Sequence, residues 1–262
     1  MSLYLMYFLI AIIATTLGSI TGMGGGIIMK PILDYLNHYN IETIGILSSV
    51  TVLFMAIVSI SRQLIKYRKF SPKAALFLSS SSILGGIFGE RILNVLVLNL
   101  SHESVKLIQN FILSILLILI FLYVLNKKSL PSYKFRNALV FFIVGCLLGI
   151  LASFLGIGGG PINVAILIFF FSFDTKEAAF YSLVTILFSQ LSKITTVYLT
   201  KGFSGYDLKV LPFMVLGGIL GGLIGSHLNN AFEENKIEIV FNCIVIFMFI
   251  VCMVNIVNVL VI

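Results

Sequence analysis

Apolar residues run along this chain in long blocks, and polar ones are confined to the short gaps between them. Eight blocks stand out, near residues 3–33, 43–65, 74–97, 105–125, 137–172, 178–199, 208–230 and 237–260. Each reaches the roughly 20 residues a helix needs to cross a bilayer. The pattern predicts an all-α, polytopic membrane protein with eight transmembrane segments.

The first and fifth blocks are oversized, and both contain a glycine run. Gly22-Met23-Gly24-Gly25-Gly26 is followed by Lys30-Pro31, and Gly156-Ile157-Gly158-Gly159-Gly160 by Pro161. Three consecutive glycines inside a helix cost about 1 kcal/mol each against alanine, so each run predicts a break. A break inside lipid leaves backbone groups unpaired unless protein or a wet cavity covers it.

The two runs lie 134 residues apart, and the echo extends further. Ser48-Ser49-Val50-Thr51 pairs with Ser182-Leu183-Val184-Thr185 at the same offset, and Gly85-Gly86-Ile87-Phe88-Gly89 pairs with Gly221-Gly222-Leu223-Ile224-Gly225 at 136. This predicts a first four-helix repeat over 1–126, a cytoplasmic linker at 127–136 and a second four-helix repeat over 137–262. Four blocks in each half give an even number of crossings, so the repeats are expected to be parallel. Gly145, Gly149 and Ser153, and again Gly217, Gly221 and Gly225, recur every fourth residue, a spacing that lets helices pack closely in lipid.

Charge adds orientation. Arg62, Lys66, Arg68, Lys69, Lys73, Lys127, Lys128, Lys134, Arg136, Lys201 and Lys209 fall in one alternate set of gaps; Lys106, Lys176 and Lys236 fall in the other, beside Asp34, Glu42, Glu103, Asp174, Glu177 and Glu233. By the positive-inside rule the first set is cytoplasmic, which puts both termini in the cytoplasm of an integral plasma-membrane protein. Residues 137–172 then cross once, net. As one straight helix they are about 54 Å long against a hydrocarbon core of about 30 Å, so a kink or a re-entrant turn is expected at Gly156–Pro161.

Composition agrees with this class: 59% of residues are apolar and 10% charged, where soluble domains average about 25% charged. No soluble domain of any size is expected. Met1 leads straight into apolar sequence without a basic stretch, which reads as a first membrane helix rather than a removable signal. The net charge of +7 belongs to the loops, and nucleic acid is not an expected partner. Cys146, Cys243 and Cys252 lie in apolar runs without ligand spacing, so no metal and no cofactor are expected.

A helix that restarts after a break presents free N–H groups and the positive end of its dipole, which bind anions without a charged side chain. Gly22, Gly24, Gly25 and Gly26 and Gly156, Gly158, Gly159 and Gly160 are therefore candidate substrate-binding residues, against the alternative of purely structural kinks. Ser48, Thr51, Ser182, Thr185 and Asn163, with Gln190, can add donors; the hydroxyls can equally bond back to their own helices. Lys30, one turn past the first break, can complement an anion or snorkel outward, and Lys193 is placed to snorkel. Glu90 and His227 are candidates for proton coupling, His227 also reading as a hydrated interfacial histidine.

The doubled G-M-G-G-G and G-I-G-G-G motifs, the prolines after them, the Tyr67-Arg68-Lys69 turn and the G-G-x-x-G helices resemble the sulfite exporter TauE/SafE family. The resemblance covers nearly the whole chain. It implies an eight-helix secondary transporter that exports sulfite, a sulfonate or another small organosulfur anion, driven by the proton gradient or membrane potential. The partners expected are that anion, protons and the lipid bilayer. No nucleotide-binding loop is present. Glu90 is the sole acid the pattern places within a membrane block, so paired carboxylates are lacking and no catalytic residue is assigned. A passive anion channel, or a membrane subunit without transport of its own, is the alternative.

Overall fold

The computed structural model describes residues 3–66, 71–126 and 133–261. The described residues form ten helices, in order α1 Leu3–Thr21, α2 Gly26–Leu36, α3 Ile41–Lys66, α4 Pro72–Asn99, α5 His102–Asn126, α6 Ala138–Leu155, α7 Gly160–Phe171, α8 Thr175–Thr200, α9 Leu211–Ala231 and α10 Glu234–Val261. Among the described residues there is no strand, and eight helices are long and apolar enough to span a membrane. The chain is a multi-pass, all-α membrane protein. The exceptions to spanning length are α2 and α7, which follow the two glycine runs.

Small residues set the tightest packing. Gly85 and Gly89 of α4 lie against Cys146, Ile150 and Ser153 of α6, and Gly145 and Gly149 of α6 against Leu78 and Ser82 of α4. Likewise Gly217, Gly221 and Gly225 of α9 lie against Phe8, Ile12 and Thr16 of α1. Residue numbers rise together in both pairs, so α1 runs parallel to α9 and α6 to α4. In lipid such close approach supplies the dispersion contact that holds helices together.

Polar contacts show which helix ends share a face. On one face Tyr7 Oη and His38 Nδ1 are 3.2 Å apart, Lys201 meets Glu42 at 2.6 Å, and Gln109 donates to the Phe154 carbonyl at 2.6 Å. On the other, Ser71 N–H donates to Tyr181 Oη at 2.7 Å, Thr175 to Glu238 at 2.8 Å, and Asn229 to the Ile20 carbonyl at 2.6 Å. Hence α1 starts on the first face and ends near the second, and α2 returns to the first. In the same way α6 runs from the second face to the first, and α7 returns, its end meeting Tyr133 and Phe135.

The expected parallel halves and the single net crossing of 137–172 are therefore corrected. Each broken block is a hairpin whose two ends share a face, so it adds no net crossing, and three crossings per half invert the second half against the first. Helix lengths explain it: α6 has 18 residues and α7 12, about 27 Å out and 18 Å back. Exchanging α1–α5 for α6–α10 turns the α1–α9 contact into α6–α4, and α2–α10 into α7–α5. With the chain direction reversed, the relating two-fold axis lies in the membrane plane.

The loops around Lys73, Lys134, Arg136, Lys176 and Lys236 share one face, here called the basic face. Leu3, at the start of α1, and Val261, at the end of α10, lie on the opposite face with Lys106, Lys201 and Lys209. Tyr67-Arg68-Lys69 and Lys127-Lys128 lie outside the described residues.

Candidate functional site

Residues 18–31 and 152–165 are all buried, so both breaks lie inside the protein rather than against lipid. Gly22 and Gly24 have φ of +74° and +73°; Gly156, Gly158, Gly159 and Gly160 have +66°, +75°, +104° and +57°. Glycine occupies this left-handed region without the penalty a Cβ brings. The Gly24 N–H reaches back to the Gly18 carbonyl at 3.3 Å, and the Gly158 N–H to that of Ala152 at 3.4 Å. Both short helices also end alike, on Asn37 (φ +53°) and Ser172 (φ +51°).

The two breaks meet. A Cβ built on Gly24 comes to 3.7 Å from the Gly158 carbonyl oxygen, one on Gly26 collides with the Ile157 carbonyl, and one on Gly160 lies 2.8 Å from Ile27 Cδ1. Val52 of α3 and Ile186 of α8, themselves 134 residues apart, flank the meeting point: each is near both Gly24 and Gly158. Gly26 and Gly24 approach backbone of the other break, while Gly160 packs on a side chain of the first, and a Cβ at Gly26 or Gly160 has no room.

Unpaired polar atoms converge on this place. Asn163 Oδ1 and Nδ2, Gln190 Oε1 and Nε2, and Ser48 Oγ are buried and have no hydrogen-bond partner among the described residues. The Asn163 amide lies over Gly159, Gln190 Nε2 is 3.8 Å from a Cβ built on Gly158, and Ser48 Oγ is 3.1 Å from one on Gly26. A buried polar group left unpaired costs about 1–3 kcal/mol, so such a cluster needs an explanation beyond packing. The other hydroxyls are committed. Thr51 donates to Leu47 O at 2.7 Å, Thr185 to Tyr181 O at 2.9 Å, and Ser182 crosses to the first break, donating to Gly22 O at 2.6 Å.

Two buried ion pairs flank the breaks toward the terminus-bearing face. Lys30, 3% exposed, holds Asp34, 2% exposed, at 2.8 Å. Its stem packs on Gly156, with Cε 3.2 Å from a Cβ built there. Lys193 pairs with Glu90 at 3.4 Å and donates to the Ser153 carbonyl at 3.1 Å. Lys193 is thus buried rather than snorkelling, and Asp34 is inside the bundle rather than in a loop. The positions matching Lys193 and Glu90 in the other half are Ser59 and Ser226; Ser59 and Ser19 share a hydrogen bond of 2.8 Å. His227 is exposed on α9, while Glu90 is buried. No cluster of three histidine, cysteine or acidic side chains able to hold a metal occurs among the described residues.

Interrupted helices whose ends meet inside a membrane bundle are the way many secondary transporters present backbone to a solute, and the class defined here is a membrane transporter. The comparisons agree. Residues 7–252 match the family described as Sulfite exporter TauE/SafE, and the chain belongs to that family. It is 24% identical to the probable membrane transporter protein YunE of Bacillus subtilis, over 90% of this chain and 92% of that one. A probable membrane transporter protein of Methanocaldococcus jannaschii is also 24% identical, covering 90% of each chain. YjnA of Bacillus subtilis, with the same description, is 23% identical over 91% of this chain and 95% of its own. No solved structure matches the chain. The family and these relatives are membrane transporters rather than enzymes.

Proposed function

We propose that the protein exports a small oxyanion, sulfite or a sulfonate, binding it where the two glycine breaks meet. The observation that carries the reading is the convergence of Asn163, Gln190 and Ser48, buried and unpaired, on Gly26, Gly158 and Gly159. Gly22, Gly24, Gly25, Gly156 and Gly160 shape the turns, and the restarting helices α2 and α7 aim their N-terminal ends at the same place. An oxyanion there satisfies amide and hydroxyl donors that otherwise remain unmade. Ser182 and Thr51 hold the surrounding backbone, as does Thr185, and Lys30 stands beside the site.

The basic face is cytoplasmic by the positive-inside rule in the plasma membrane, which places both termini outside the cell rather than in the cytoplasm. Binding at the axis that relates the halves suits alternating access, since rocking either hairpin opens one face. Outward movement follows the gradient of accumulated substrate.

The test is flux from proteoliposomes loaded with sulfite, methanesulfonate or sulfate. Saturable efflux with counterflow is expected. Linear, non-saturating flux makes the protein a channel, and no flux of any of the three anions overturns the reading.

A further inference from the structure

We infer that Asp34 is a proton-binding site that controls whether the Lys30 ammonium is free to help hold the anion at the breaks. The inference rests on the reading that an anion binds there.

Three observations meet at this residue. A cavity of about 180 Å³ opens between the terminus-bearing ends of α2, α3, α5 and α10, lined by Asp34, Tyr39, Asn40, His102, Glu103 and Asn255 among others. A narrow void further in is lined by Lys30, Asp34, Gln109, Asn110, Leu155 and Ile157, and so reaches the second break. Among the described residues Asp34 alone lines both. Its Oδ2 takes the Lys30 ammonium at 2.8 Å, while Oδ1 is buried and unpaired. A carboxylate between an aqueous cavity and a lysine beside the breaks, with one oxygen uncommitted, is placed to receive a proton from that cavity.

The surroundings of Asp34 show what the proton does. From α5, the Lys106 ammonium binds the Asp34 backbone carbonyl and also interacts electrostatically with its carboxylate, and His102 and Glu103 line the cavity. From α10, Cys252 is the titratable group that interacts with both Lys30 and Asp34, and Asn255 caps the Pro31 carbonyl at 3.0 Å. The side chains of α3 here are Ile41 and Ile44, and Tyr7 of α1 is engaged with His38. Among the described residues Lys30 is the cation hydrogen-bonded to the carboxylate, and Lys106 acts on it electrostatically from further away.

The step balances simply. A proton from the outer cavity adds to the Asp34 carboxylate, giving the neutral acid. Lys30 keeps its charge but loses its counter-charge, and its terminal bonds turn from Asp34 to an anion held by Gly156–Gly160 and Asn163. When the anion leaves, the ammonium returns to Asp34 and the proton goes back to water. One proton thus accompanies each anion, and each favours binding of the other, as linkage requires.

Methanesulfonate is the probe of choice because it stays a monoanion across the relevant pH range. In purified wild-type protein its affinity should fall with rising pH, at the limit by about tenfold per unit. The Asp34→Asn protein should bind with pH-independent affinity matching the acid limit, and Asp34→Glu should restore the pH dependence. Independently of any ligand, infrared difference spectra on acidification should show a carboxylic-acid band that is missing in Asp34→Asn. Unchanged pH dependence in Asp34→Asn, or an unchanged band, overturns the proton site. Failure of the wild type to bind methanesulfonate, sulfite or sulfate at any pH instead sinks the anion reading, while the infrared arm still decides the proton site. Elution of each variant as a single folded species in detergent is part of the measurement; should Asp34→Asn not fold, Lys30→Met with the same two readouts takes its place. In that protein the pH dependence should vanish and affinity stay at the alkaline limit; pH dependence that persists in Lys30→Met overturns the switch.

Discussion

Replacing Gly26 by alanine separates the meeting of the breaks from the strain of the turns. Gly26 opens α2 in ordinary helical backbone, so alanine brings no conformational penalty of its own. The added Cβ lands on the Ile157 carbonyl group, 2.7 Å from its carbon and 3.1 Å from Ser48 Oγ. Backbone at that distance has to retreat by most of an ångström, an overpacking that costs about 1–3 kcal/mol. Gly202 is the control. It lies in the α8–α9 loop at φ +68° with nothing within 4 Å of an added Cβ, so alanine there costs only backbone strain, about 1–2 kcal/mol. The two variants should lose similar thermal stability in detergent. Efflux per folded molecule, however, should fall at least about tenfold in Gly26→Ala, the effect of roughly 1.4 kcal/mol at the site, and stay normal in Gly202→Ala. Normal efflux in Gly26→Ala refutes the claim that the contact between the two breaks matters for transport.

Other outcomes follow from the same geometry. Gln190→Leu removes a buried amide that has no partner, so its stability to unfolding should match or exceed wild type, by up to the roughly 1–3 kcal/mol that an unmade bond costs, while efflux is lost. Glu90→Leu and Lys193→Met should each destabilise by about 3–5 kcal/mol because each strands a buried charge, whereas the double variant should return near wild type in the same thermal assay. Ser182→Ala breaks the 2.6 Å bond to Gly22 and should cost about 1 kcal/mol. Cysteines placed at Ser101 and Gly205 in a cysteine-free background should react with an impermeant maleimide from the same side of the membrane; labelling from opposite sides restores the parallel arrangement.

Eight apolar blocks were legible because length and hydropathy alone define them, and the sites of the breaks because three glycines have no other use in a spanning segment. Direction was not legible. Hydropathy reads the same for one tilted crossing of 36 residues and for a hairpin that goes out and comes back, and the charge rule then inherits the wrong parity. The gap charges divided convincingly although two pairs stood on the wrong sides: Lys201 and Lys209 lie on the terminus-bearing face, and Lys176 and Lys236 lie with Lys73, Lys134 and Arg136. Asp34 and Lys193 were missed for a related reason. Asp34 lies near the end of an apolar block, where a charge usually meets water, but re-entry keeps α2 buried as far as Asp34. The (i, i+4) spacing of Lys30 and Asp34 was the available signal. For Lys193 it was the register with Ser59, a serine on a buried face.

A density map of the protein with bound sulfite shows whether an anion occupies the meeting point of the two breaks. Density is expected about 3 Å, hydrogen-bond distance, from the Asn163 and Gln190 amides, beside Gly26 and Gly158. Sulfite found instead in the wide cavity at the basic face, by Lys73, Lys134 and Arg136, with the breaks closed and empty, contradicts it.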